Sequence, residues 1–282
     1  MTSILTNNGA MVALQTLQSV NDNLTDAQNE ISTGKRVGSA SDNAAVWAIS
    51  KTMESDIAGF NAISDSLAVG EATVAVASAG AEQIVDTLTD IKELIVSAQS
   101  ENVDHAKIQA DIDAKIEQVA GIISAAQFNG ANLLASDIDG NSTTQLGVLA
   151  SLDRVGATGT PTPTEILIDT VDFEADLDLA SNLTSISDST TAATAMGEIE
   201  AFLALAIDGA AQLGSDSARL ADQGAFVSNL TDSMKMGVSS MTDTDMEEAS
   251  ARLKALQTQQ SLAVQSLSIA NSAPETLMQL FR

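Results

Sequence analysis

Few residues in this chain could carry out chemistry. There is one imidazole, His105, and there is no cysteine or tyrosine. A catalytic histidine needs an activated partner, yet no thiol exists and no serine sits in a nucleophile-elbow context. His105, beside Asp104, therefore reads as a solvated residue at a helix start. Asp137, Asp139 and Asn141 occupy the first, third and fifth ligand places of a calcium loop. The place that demands a turn glycine is Ser142, and the place of the closing glutamate is Val148. That stretch reads as a polar turn. Glu247 and Glu248 read as a solvated helix face, and the Asn-x-Ser/Thr sequons, including Asn141 and Asn182, are too common to be specific. The sequence thus predicts no catalytic residue, no metal site and no cofactor, and the chain is not expected to be an enzyme.

Composition narrows the classes further. The 282 residues include 12 Lys+Arg against 38 Asp+Glu, a formal net charge of −26. Such a surface repels phosphate backbones and anionic headgroups, so neither nucleic acid nor a membrane surface is an expected partner. Hydrophobic residues make up 44%, which argues against disorder throughout. With only six Phe and one Trp, burial must come from Ala, Leu, Ile and Val, a helix-packing composition. The absence of cysteine removes disulfides and thiolate metal sites. No Lys or Arg precedes Lys35, and no stretch of about 18 residues is continuously apolar. The expectation is neither a cleavable signal peptide nor a transmembrane helix, and any export would use a route that reads no such signal.

The elements that would position a site are helices. In alternate steps of four and three, Ile49, Met53, Asp56, Phe60, Ile63, Leu67, Gly70, Val74, Ala77, Ala81, Ile84, Leu88, Ile91 and Ile95 form one register that is apolar but for Asp56 and Gly70. A sustained 3.5-residue repeat is the coiled-coil signature. A helix over residues 42–98, with Ser41 or Asp42 as N-cap, would be roughly 85 Å long and needs partners for its seam. A second seam runs from Met196 through Ile199, Ala206, Leu213, Leu220 and Val227 to Val238. A shorter helix, residues 104–127, places Ile108, Ile112, Val119, Ile122 and Ala126 on one face. Together these predict an antiparallel bundle. Weaker, Ala-rich seams occupy the two ends: Ala10, Ala13, Leu17, Val20, Leu24, Ala27 and Ile31 in one, Ala249, Leu253, Leu256, Gln260, Ala263, Leu267 and Ala270 in the other. Helices of this kind are marginal alone. Between the helical regions, residues 143–150 and 164–171 read as strands of a hairpin, with 156–163 as its turn.

Several segments resemble bacterial flagellins. They are Ser3-Ile4-Leu5-Thr6-Asn7 followed by Ala10-Met11-Val12-Ala13-Leu14; Ser32-Thr33-Gly34-Lys35-Arg36-Val37 running into Ala40-Ser41-Asp42-Asn43-Ala44-Ala45; and Phe128-Asn129-Gly130. Near the other end come Asp243-Thr244-Asp245-Met246, then Leu267-Ser268-Ile269-Ala270-Asn271-Ser272-Ala273-Pro274 and the closing Leu280-Phe281-Arg282. The resemblance covers residues 1–135 and 190–282.

This resemblance implies a mainly α fold: a long antiparallel helical bundle or coiled coil built from both chain ends, with a small central β-hairpin region. It implies that residues 1–40 with 245–282 form an inner core, that 41–135 with 190–244 form an elongated bundle, and that 136–189 form a short variable region without large outer domains. The implied function is a structural subunit that polymerises through its ends into the flagellar filament for swimming motility. A hook–filament junction protein, or a secreted adhesin on a helical stalk, is the alternative. The implied assembly residues are Leu14, Leu17, Val20, Leu24, Ile31, Leu253, Leu256, Leu262, Leu267, Ile269 and Phe281. The implied partners are identical or related flagellin subunits, the flagellar export apparatus and its chaperone, and the filament cap and hook-junction proteins. The implied location is a secreted, extracellular filament. Finally, the resemblance places an innate-receptor patch at Leu88, Asp90, Ile91, Lys92, Glu93 and Leu94. There the family's detected version carries Arg where this chain has Asp90, and weak receptor signalling is the expectation.

Overall fold

The structure, a computed structural model, describes residues 7–154, 156 and 159–280. It is mainly α: α1 (Asn8–Thr33), α2 (Ala44–Ala98), α3 (His105–Ala125), β1 (Gln127–Phe128), β2 (Ala131–Asn132), β3 (Gln145–Asp153), β4 (Thr162–Asp169), α4 (Phe173–Asp176), α5 (Leu179–Asn182), α6 (Ser189–Thr242) and α7 (Met246–Leu280). Two units divide the chain, Met1–Ile57 with Ser233–Arg282 and Ala58–Asp232, so the boundaries fall within α2 and α6. Charge is divided unevenly between them: 27 of the 38 acidic residues, but only five of the 12 basic ones, belong to the Ala58–Asp232 unit.

In the Ala58–Asp232 unit the heptad register is realised throughout. Every seam position of α2 from Phe60 to Ile95 is buried, with Val74, Ala81, Ile84, Leu88, Ile91 and Ile95 wholly so. Ile112 and Val119 of α3 and Ala192, Ala195, Ile199, Ala206 and Leu213 of α6 are buried as well, and ion pairs join α2 to both helices. By length and composition a stretch of α6 could cross a bilayer, although no unbroken apolar run is present; α6 carries the buried stripe named above. On α3, Ile123 rather than Ile122 is the buried residue of the last turn.

Two details at helix starts differ from expectation. Asn43, not Ser41 or Asp42, caps α2, its Oδ1 accepting from Val46 N at 3.2 Å. Asp42 instead closes the preceding loop, accepting from Gly38 N at 3.0 Å and Ser39 N at 2.9 Å. The predicted seam also starts too early, because Ile49 is 52% exposed while Ser50 is 2% exposed. Ser50 Oγ donates to Trp47 O at 2.9 Å, so its hydroxyl is satisfied on its own helix and can be buried.

β3 and β4 form an antiparallel hairpin with a bulge between Leu149 and Ser151. Both strands are offset from the predicted limits, and α4, α5 and the β1–β2 hairpin are additions. The hairpin and the segment after it seat on the bundle through glycines. A Cβ at Gly70 of α2 would lie 2.7 Å from Val148 Cγ2, and one at Gly209 of α6 would lie 2.5 Å from Val171 Cγ1 and 2.6 Å from Phe173 Cε1. These two positions are sockets that any side chain would fill.

Candidate assembly interface

The end helices α1 and α7 belong to the unit comprising Met1–Ile57 and Ser233–Arg282. Asn7 starts α1, its Oδ1 accepting from Ala10 N at 3.1 Å. Gly34 stops the helix in the left-handed conformation (φ 69°), with its N–H on Glu30 O at 2.9 Å; glycine takes that conformation without strain. Asp245 begins α7, accepting from Glu247 N at 2.9 Å and Glu248 N at 3.3 Å. The two carboxylates of Glu247 and Glu248 thus stand in the first turn of a helix, where its dipole favours negative charge.

The two helices pair antiparallel. At one end the connections meet: Thr244 N donates to Gly34 O at 3.0 Å, Arg36 N to Thr242 O at 2.7 Å, and the Arg36 guanidinium to Met241 O at 3.2 Å. Midway, Gln260 Nε2 donates to Asn21 Oδ1 at 2.7 Å. At the far end, Asn7 Nδ2 donates to Ala270 O at 2.7 Å. The same side chain therefore caps α1 and holds α7. Val20 and Ala27 of α1 and Ala249, Leu256 and Ala263 of α7 are buried, with Leu17, Leu24, Ile31, Leu253 and Leu267 half-buried beside them.

The expected assembly residues accordingly fall into two sets. Leu17, Val20, Leu24, Ile31, Leu253, Leu256 and Leu267 take buried or half-buried positions in the unit that holds the α1–α7 pair. Leu14, Leu262 and Ile269 face away from it, being 48%, 59% and 65% exposed. Phe281 lies outside the described residues. Three further exposed residues were not singled out by periodicity: Met11 (62%), Val12 (63%) and Val264 (52%). The signal that could have found them is a bulky apolar side chain one or two positions off an Ala-rich seam. Asn21, next to Val20, was also missed. Large apolar side chains at exposed positions of a paired helix hairpin make a surface that water covers poorly and that another apolar surface could cover.

The six residues of the expected receptor patch do not share one environment. Leu88 and Ile91 are fully buried in the bundle core, Leu94 is half-buried and Glu93 is exposed. Asp90 Oδ2 accepts from Lys115 Nζ of α3 at 2.6 Å, and Lys92 Nζ pairs with Glu200 of α6 at 2.7 Å. Asp90 and Lys92 are therefore both engaged in intrachain ion pairs.

The remaining polar candidates are structural. His105 is half-buried rather than fully solvated, its Nε2–H donating to Ala98 O at 2.9 Å and so satisfying the last turn of α2. Asp137 accepts from four backbone amides, Ser142 N (2.6 Å), Gly140 N (3.1 Å), Asp139 N (3.2 Å) and Thr143 N (3.2 Å). These bonds, that from Ser142 foremost, hold its carboxyl below the usual range. Its oxygens are engaged by the turn itself. Among the described residues no group of three or more His, Cys, Asp or Glu is arranged to hold a metal ion.

Comparison with known proteins bears on the same helices. The profile of the bacterial flagellin N-terminal helical region matches residues 4–138, and that of the bacterial flagellin C-terminal helical region matches residues 196–281. The chain is 40% identical over 288 residues to a flagellin of Brucella melitensis biotype 1, covering all of both chains. It is 38% identical over 286 residues to flagellin FljM of Caulobacter vibrioides, covering 99% of this chain and 98% of that one. Flagellin A of Rhizobium meliloti is 32% identical over 396 residues, with both chains fully covered. Among solved structures, a crystal structure of Bacillus cereus flagellin aligns with a TM-score of 0.48 at 16% identity, covering 56% of this chain and 86% of that one.

Proposed function

Because the chain belongs to the bacterial flagellin family, whose members are the structural subunits of the flagellar filament, we propose that it polymerises through the outward face of its paired end helices. The observation that carries this reading is a group of exposed apolar side chains along α1 and α7, Met11, Val12, Leu14, Leu262, Val264 and Ile269. The inward seam would make the α1–α7 hairpin, and the outward residues would join one hairpin to the next. The expected inner core of residues 1–40 and 245–282 becomes, on this reading, the polymerising part. Residues 41–135 with 190–244 serve as an elongated bundle, and 136–189 as its variable addition. We assign no catalytic step to the chain.

The filament lies outside the cell, so each subunit must be exported. We assign that step to the flagellar export apparatus with a chaperone that shields the apolar end helices, and place the filament cap and the hook-junction proteins at the two ends of the polymer.

The test is assembly of purified full-length protein from filament seeds, followed by sedimentation and electron microscopy. Ile269→Asp puts a charge where apolar contact is required and leaves the inward seam untouched. Burying an unpaired charge costs several kcal/mol, so the critical concentration should rise at least tenfold. Deletion of residues 246–280 should abolish assembly. Ordinary filaments from either variant would overturn the proposal.

A further inference from the structure

Much of the α1–α7 seam is alanine, and alanine specifies register weakly because one small knob resembles the next. The α7 seam contains Ala249, Leu256, Ala263 and Ala270 in one heptad position and Leu253, Gln260 and Leu267 in the other. Sliding α7 by seven residues would put Leu against Ala or Leu again, at small apolar cost. The exception is Gln260, the one polar residue in that seam. In the structure its amide meets Asn21 at 2.7 Å across the pair, at a half-buried position. A one-heptad slip in one direction would set Gln260 at the level of Leu14 and Asn21 at that of Leu253, so neither amide would meet another. A slip in the other direction would bring Gln260 to the level of Gln28 but leave Asn21 against Leu267. Either slip strands Asn21 opposite a leucine. Only the native register satisfies both amides with one bond.

We infer that the Gln260–Asn21 pair is the register lock of the end-helix hairpin, the contact that decides which turn of α7 faces which turn of α1. Its consequence is positional. The outward residues Met11, Val12 and Leu14 lie on one helix and Leu262, Val264 and Ile269 on the other. They form one composite surface only in the correct register, since a seven-residue slip displaces one set by about 10 Å along the axis. A polar residue in an otherwise apolar seam fixes alignment at some expense of stability. This inference rests on assembly through the end helices and names the residues that align them.

The chain has no cysteine, so an engineered pair can report register. A Cβ built on Gly9 stands 4.0 Å from Ala270 Cβ, within the usual disulfide range of about 3.5–4.5 Å. Full-length Gly9→Cys/Ala270→Cys protein should assemble and close an intramolecular disulfide in seeded filaments under mild oxidation. In that background Gln260→Leu should retain or gain helix in far-UV circular dichroism. Its disulfide yield should fall several-fold, and its critical concentration should rise roughly three- to tenfold, the factor carried by one net hydrogen bond. Asn21→Leu should lose at least as much, because Gln260 would then find an amide only at the level of Gln28, in the slipped register. The swapped pair Asn21→Gln/Gln260→Asn should recover both yield and assembly. Unchanged crosslinking and assembly in both Leu variants would overturn the lock, as would a reporter that fails to close in the native background. Failure of the underlying reading is separate: it would show as filaments formed without residues 246–280.

Discussion

Replacing Gly209 by alanine would drive a methyl group into two side chains that cannot easily retreat. The added Cβ would stand 2.5 Å from Val171 Cγ1 and 2.6 Å from Phe173 Cε1 and Cζ, and Phe173 is only 1% exposed. Carbon atoms in good contact are about 3.5–4.0 Å apart, so either the aromatic ring or the whole segment leading into α4 must move by about 1 Å. Overpacking of this kind costs about 2–3 kcal/mol. Alanine's better helix propensity returns about 1 kcal/mol, leaving a net loss of about 1–2 kcal/mol. Gly214, one and a half turns further along α6, has nothing within 4 Å of its would-be Cβ. Gly214→Ala should therefore show the propensity gain alone, about 1 kcal/mol. Thermal unfolding of the monomer, followed at 222 nm, should place the two variants on opposite sides of the parent. The expected shifts are roughly 2–8 °C down for Gly209→Ala and roughly 2–4 °C up for Gly214→Ala. A Gly209→Ala protein as stable as the parent would refute the socket, and two shifts of the same sign would show that propensity or backbone strain, not packing, governs both glycines.

Two further outcomes follow from charge. Asp216 of α6 has its carboxyl pushed above the ordinary value, mainly by burial and further by the Asp169 carboxylate, with Arg219 opposing. A raised folded value means that the native state holds the proton more tightly than the unfolded chain, so this group weakens the fold near neutrality and less so as pH falls through the raised value. Asp216→Asn should thus raise the melting temperature at pH 7, with the gain shrinking toward pH 4 in circular-dichroism melts; a gain that grew on acidification would contradict the sign. Asp90→Arg would replace the Asp90–Lys115 pair with two adjacent cations and introduce the arginine that the resemblance implies for receptor recognition. In a Toll-like-receptor reporter assay the parent monomer should signal weakly and the variant more strongly, and strong signalling by the parent would refute the charge-reversal reasoning.

The bundle was legible because its signal is redundant. From Phe60 to Ile95 eleven consecutive seam positions agree with one period, and all are buried. The seam's early start at Ile49 fails for a local reason. A hydroxyl can be buried when it bonds its own helix, as Ser50 does to Trp47 O, Thr73 to Val69 O and Thr87 to Gln83 O, and a polar-or-apolar pattern scores such positions as surface. Gly70 and Gly209 were illegible as sockets, because a glycine within a helix looks like a weak point until the segment lying over it is known. At the end helices, periodicity found the hairpin seam but could not separate residues that close the hairpin from residues left outside it. Leu17 and Leu14 are the same residue type three positions apart, and only the placement of α7 distinguishes them.

The double duty of Asn7 has a consequence in time. Its side chain completes the first turn of α1 and also holds Ala270 O, a residue that the ribosome adds more than 260 positions later. Helix α1 is marginal by itself, and its partner α7 begins only at Met246. A growing chain therefore carries half a sticky surface that has nothing to fold against. The α1–α7 hairpin can close only after Met246–Leu280 has been made, so on the proposed reading sequence order delays the appearance of the polymerising face.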